Sequence, residues 1–141
     1  MEHTTRLIGP LQKEAFDGIW PVVEPYLANA LERDGWKLRP DDLHNQITSG
    51  VMGLYVVQDF KTAEILAALA CEVQEYPNAA VFSIAFAGGK DMERWQHLIA
   101  EIEMHAKALG CHVVRIPGRA GWARVFPEYR EAHRVFEKEI A

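Results

Sequence analysis

The sequence predicts a mixed α/β (α+β) domain in which a central, largely antiparallel sheet is flanked by helices. Three observations predict it. Apolar runs separated by short turns occupy the middle of the chain, and helical spacing of apolar residues frames them on both sides. The chain has 141 residues, 49% hydrophobic and 25% charged, which suits one buried core. A net charge of −5 with that apolar content excludes a disordered chain and bulk attraction to nucleic acid or anionic membrane.

Residues 1–6 read as a flexible N-terminus of a single domain over 1–141. From Leu11 to Leu31 the residues Phe16, Ile19, Trp20, Val23, Tyr26, Leu27, Ala30 and Leu31 recur at three and four, which predicts a helix. Pro21 and Pro25 each remove a donor and clash with the preceding turn, so a break or kink is expected near Trp20 to Glu24. Asp34-Gly35 ends that helix, and Pro40-Asp41-Asp42 opens a short second one with acidic residues in its first turn.

The meander follows. Val51–Val57 is rich in β-branched and aromatic residues, Glu64–Val73 comes after a turn, and Ala80–Ala87 follows Tyr76-Pro77-Asn78. Ala63 to Ala70 has strong helix propensity, yet its neighbours require a strand between them. After Gly88-Gly89, the stripe Met92, Trp95, Ile99, Ile102, Ala106 and Leu109 predicts one long helix ended by Gly110. Cys111–Ile116 reads as a buried strand, Gly121–Tyr129 as a short helix, and Ala132–Ile140 as a last strand.

Cys71 and Cys111 form no CxxC pair, which excludes a thiol zinc site and suits buried apolar side chains in a reducing compartment. His97, Glu101 and His105 share one side of the long helix, opposite its apolar stripe. A solvated face is expected there rather than a metal site. No apolar run approaches the roughly 20 residues of a membrane span. A cytoplasmic protein without a membrane or nucleic-acid partner is expected.

The strand into Gly88-Gly89, the amphipathic helix ending Ala106-Lys107-Ala108-Leu109-Gly110, and the strand Cys111–Ile116 resemble the Gcn5-related N-acetyltransferase (GNAT) fold. Gly118-Arg119-Ala120-Gly121-Trp122 and the position of Trp95 are similar to small GNAT-like proteins of tailed phages, which would place the protein in a host cytoplasm or a virion. The resemblance implies an acyltransferase that moves an acetyl group from acetyl-CoA to an amine. It implies cofactor contacts at Phe86, Ala87, Gly88, Gly89 and Lys90, with a strand amide near Phe86 and Ala87 polarising the thioester. It also implies a carboxylate base, for which Glu72 and Glu75 are the candidates, and a tyrosine acid, for which Tyr129 is the nearest match although Arg124 occupies the aligned place.

The family's pyrophosphate loop, Arg/Gln-x-x-Gly-x-Gly/Ala, is missing from Ala87-Gly88-Gly89-Lys90-Asp91-Met92-Glu93-Arg94, where Asp91 and Glu93 add negative charge. Two readings stay open: an acyltransferase, and a non-catalytic binding or virion-associated protein that has lost the loop. The partner is then an amine substrate or a protein. A bulky residue at Gly89 is expected to abolish CoA affinity and leave folding intact. Arg119, Trp122 and Arg124 are candidates for a further binding patch among Arg115, Arg130 and Arg134, against ordinary salt bridges to Glu128, Glu131 and Glu137. An exposed edge strand would support a homodimer.

Overall fold

The structure is a computed structural model that describes residues 3–33, 35, 37–117, 122–132 and 135–140. In chain order it contains β1 (Thr5–Ile8), α1 (Lys13–Arg33), α2 (Pro40–Thr48), β2 (Gly53–Asp59), β3 (Ile65–Tyr76) and β4 (Ala79–Gly89). Two 3-10 turns follow (Met92–Arg94 and Gln96–Leu98), then α3 (Ile99–Ala108), β5 (Val113–Arg115) and α4 (Trp122–Val125). The sheet runs β1-β2-β3-β4-β5, antiparallel except for the parallel β4–β5 pair.

Strand alternation divides the core into two layers. Leu54, Val56, Ala68 and Ala70 face α1 and α2, where Phe16, Val23, Leu27, Leu31, Leu43 and Ile47 are buried. Tyr55, Val57, Leu69, Cys71, Phe82 and Ile84 face Ile99, Ile102 and Ala106 of α3. Each fully buried Leu or Phe contributes roughly 1.5–3 kcal/mol. Burial on both faces also explains why the helix-prone Leu66–Ala70 segment is strand: pairing with β2 and β4 outweighs intrinsic propensity.

The central strands and α2 match the sequence reading; other elements correct it. Helix α1 is continuous through Pro21 and Pro25. Both prolines are exposed, four apart, so the carbonyls they leave without an N–H partner lie on the solvent side, while Val23 and Leu27 hold the buried side to the sheet. Residues 1–6 are not a flexible arm throughout, because Thr5 and Arg6 pair with Asp59 and Gln58 in β1. The long helix begins only at Ile99, and the short one covers Trp122–Val125 rather than residues 121–129. Residues 135–140 form no strand; Phe136 and Ile140 are 88% and 92% exposed, and Glu137 instead binds Lys37 Nζ at 2.7 Å. Among the described residues, no helix is long and apolar enough to cross a membrane.

Candidate active site

The parallel pair β4–β5 is short. Its register runs Val81↔Val113, Phe82↔Val114 and Ser83↔Arg115, and there β5 ends while β4 continues to Gly89. A bulge accompanies the parting: Ala70 pairs Phe86 whereas Cys71 pairs Ile84, so Ala85 is the extra residue. The result is a wedge, open on the β5 side of residues 84–89.

The direction of each backbone group along this edge follows from two hydrogen bonds. His112 N–H donates to the Ala80 carbonyl at 2.9 Å, so the even residues before the bulge turn toward β5. Lys90 N–H donates to the Leu66 carbonyl at 2.8 Å, so beyond the bulge the even residues turn toward β3. Ala87 and Gly89 therefore aim their N–H and C=O groups into the wedge, and Phe86 and Gly88 aim theirs at β3. The bulge switches which residues serve the opening.

The glycines have a packing reason of their own. A Cβ on Gly88 would meet the backbone of Tyr26 in α1, and one on Gly89 would lie 2.7 Å from Ala67 Cα. The expectation that a bulky residue at Gly89 leaves folding intact is thus corrected, since any side chain there displaces the neighbouring strand. Lys90 is also committed: its amide serves Leu66 and its ammonium is ion-paired with Glu64, which raises its pKa.

The segment that follows is held by long-range contacts rather than by a helix. Asp91 has φ 53°, and the N–H groups of Arg94 and Trp95 close 3-10 turns onto Asp91 and Met92. The Trp95 indole N–H donates to the Lys90 carbonyl at 2.9 Å. Arg94 is ion-paired with Asp59 at the end of β2, and Thr5 Oγ1 donates to the Arg94 carbonyl at 2.7 Å. Asp59 accepts further bonds from Lys61 N–H at 2.8 Å, Thr62 N–H at 3.2 Å and Thr4 Oγ1 at 3.2 Å. Those backbone donors, with Arg94 and Thr4, hold its carboxyl below the usual aspartate range.

The two candidate bases lie on opposite faces of β3. Glu72 continues the α1 face of Ala68 and Ala70, is partly exposed, and pairs with Ser83 at the root of the wedge. Glu75 is exposed and follows the α3 face of Cys71 and Val73, toward Cys111. One acceptor cannot use both. Gln74, which sequence reasoning missed, donates from Nε2 to Glu72 Oε1 at 3.2 Å and accepts from Arg115 Nη1 at 2.9 Å.

Tyr129 is partly buried against Phe126 and the α3 layer, and its hydroxyl donates to Glu103 Oε2 at 2.6 Å. Burial, then the Glu103 carboxylate, push its pKa above the usual tyrosine value, which makes it a weaker acid. Arg124 is exposed at the end of α4, while Arg119 and the side chain of Trp122 lie outside the described residues, as do Arg134 and Trp36. Cys71 and Cys111 are buried, at 2% and 8% exposure. His105 does not share a solvated face: its Nε2 lies 2.8 Å from the Tyr55 hydroxyl, and its ring packs on Tyr55 and Phe82. His97 stacks on His3 at 3.7 Å.

No protein-family model matches the chain, and no curated protein matches it. Solved structures do. A protein named a probable acetyltransferase superposes with a TM-score of 0.68 at 14% identity, over 96% of this chain and 98% of its own. A transcriptional regulator from Bacillus halodurans gives 0.66 at 13% identity, over 99% and 100%. A GNAT family acetyltransferase from Staphylococcus aureus gives 0.59 at 16% identity, over 96% and 97%. The chain has the GNAT fold. Its neighbours on that fold are named for different roles, so the activity has to be argued from the site.

Proposed function

We propose that the chain is a GNAT-type N-acyltransferase that uses an acyl-CoA, of which acetyl-CoA is the simplest, to acylate an amine. The observation that carries this reading is the wedge: β5 stops at Arg115, and Ala87 and Gly89 present backbone groups beyond it. The residues fit the thioester end of such a molecule. They fit its diphosphate end less well, because the amide and ammonium of Lys90 are already used by Leu66 and Glu64.

A bound acyl-CoA supplies the activated acyl group. The Ala87 N–H donates to the carbonyl oxygen on which negative charge builds, a role in which a fixed donor accelerates acyl transfer by about 10²–10³-fold. Glu72 would take the proton that the amine loses as its nitrogen bonds to the acyl carbon. The C–S bond then breaks and CoA leaves as its thiolate, which takes a proton from solvent. Glu72 is favoured over Glu75 because it shares the row of Ser83 and Arg115 where the strands part. The acceptor then approaches on the α1 side of the sheet.

Isothermal titration of acetyl-CoA, with CoA alongside, tests the reading. Binding at micromolar concentration is expected. No heat at millimolar acetyl-CoA would overturn it and turn attention to the non-catalytic binding protein.

A further inference from the structure

We propose that the acceptor carries an acidic group, a carboxylate or a phosphate, close to its amine, and that Arg115 binds that group. The inference rests on the acyltransferase reading for the amine end, and on the sheet's own register for the acidic end. Glu72, Ser83 and Arg115 form one row across β3, β4 and β5. Adjacent strands lie about 4.8 Å apart, so the outer two backbones are separated by roughly 10 Å.

All three side chains share the α1 face. Val114 and Ile116 pack on the α3 layer, which turns Arg115 the other way, to where Glu72 and Gln74 continue from Ala68 and Ala70. Glu72 and Arg115 are each partly exposed.

The guanidinium is fixed by neutral groups. Its Nη1 donates to Gln74 Oε1 at 2.9 Å and to the Tyr76 hydroxyl at 3.3 Å, and its Cζ lies 6.0 Å from the Tyr76 ring centre. The Gln74 amide can face only one way. Reversed, it would aim an NH₂ at the guanidinium and an oxygen at the Glu72 carboxylate. Gln74 thereby spaces a negative charge from a positive one without letting them neutralise each other.

Among the described residues beside the wedge, Lys90 is spent on Glu64 and Arg94 on Asp59. Among the described residues Arg115 has no carboxylate within ion-pair distance. An arginine held by neutral partners keeps the donors of Nε and Nη2 for a planar oxyanion. A carboxylate at one end of the row and a guanidinium at the other complement a molecule with an amine and an acidic group a few ångströms apart. Amino acids and amino-phosphates have that chemistry.

The test pairs each acidic amine with its neutral counterpart: glycine with methylamine, L-phenylalanine with phenethylamine, and O-phosphoethanolamine with ethanolamine. Acetyl transfer is followed by thiol release, and direct binding of the same probes by titration. At least one acidic probe is expected to exceed its counterpart by about tenfold or more in kcat/KM and in affinity. In R115Q that ratio falls to about one; R115K, which keeps the charge but loses the fork, retains part of it. Which pair shows the preference separates carboxylate from phosphate. Equal use of acidic and neutral amines overturns the proposal and leaves the acyltransferase reading standing. Arg115-dependent binding of an acidic probe without any acetyl transfer keeps the anion site and removes that reading. No preference in either measurement rejects the anion site.

Discussion

Gly88 of β4 faces Tyr26 of α1 so closely that a Cβ on the glycine would lie 2.7 Å from the Tyr26 carbonyl carbon. The obstacle is helix backbone, which cannot rotate aside as a side chain can. Tyr26 also donates its hydroxyl to the Ile65 carbonyl at 3.0 Å, tying the same helix to the start of β3. The edge of the wedge and the helix covering it are therefore one packed unit.

Gly88→Ala should destabilise the protein by about 1–3 kcal/mol, the usual cost of overpacking a core contact. Gly18, in the exposed interior of α1, is its control: a Cβ there meets nothing within 4 Å. Gly18→Ala should stabilise by about 0.5–1 kcal/mol, because alanine loses less backbone entropy in a helix. Urea unfolding of both variants checks the pair. Equal midpoints would mean that α1 does not sit on Gly88.

Asp59 links β1, the β2–β3 turn and the 3-10 segment through its bonds to Thr4, Lys61, Thr62 and Arg94. Its carboxyl pKa is lower folded than unfolded, so the folded state gains from the ionised form. That gain is fully present above the unfolded value of about 3.9 and is lost as pH falls through the depressed folded value. Thermal midpoints of the wild type should drop in that acid window, and D59N should be less stable at pH 7 with a flatter acid limb. Parallel acid limbs would remove Asp59 from this role.

What the sequence disclosed and what it hid divide along this contact. The stripe Ile99, Ile102 and Ala106 was legible, and those residues are buried against the sheet. Met92 and Trp95 continue the same spacing, yet Met92–Arg94 and Gln96–Leu98 are 3-10 turns on either side of Trp95. Arg94 is drawn to Asp59 and Trp95 to the Lys90 carbonyl, and periodicity carries no information about partners 35 residues away. The candidate site divides similarly. Glu72 was visible as a strand carboxylate, whereas Gln74 has no chemical signature until the register sets it beside Arg115.

Tyr129 offers a test of the proton donor, because its hydroxyl is already bound to Glu103. A phenol whose pKa is raised by burial and a carboxylate acceptor gives up its proton reluctantly. Y129F should lower kcat by less than about tenfold, below the 10²–10⁴ range of a general acid. It should also cost about 0.5–1.5 kcal/mol of stability for the lost hydrogen bond. A fall of a thousandfold in kcat at unchanged stability would restore Tyr129 as the acid.

The role of the Ala87 amide can be separated from its neighbours because the bulge at Ala85 turns it away from β3. A proline at 87 deletes that N–H and takes no hydrogen bond from the β3–β4 ladder, as at an edge strand. Phe86 before it is already extended, the conformation a following proline favours. A87P should keep its circular dichroism and lose acetyl transfer by about 10²–10³-fold in kcat, the cost of one oxyanion donor. A87G retains the N–H and should retain turnover. If A87P were as active as A87G, charge on the carbonyl oxygen would have to be met elsewhere on the wedge. Gly89, whose N–H points the same way one pair further along, would then be the next donor to remove.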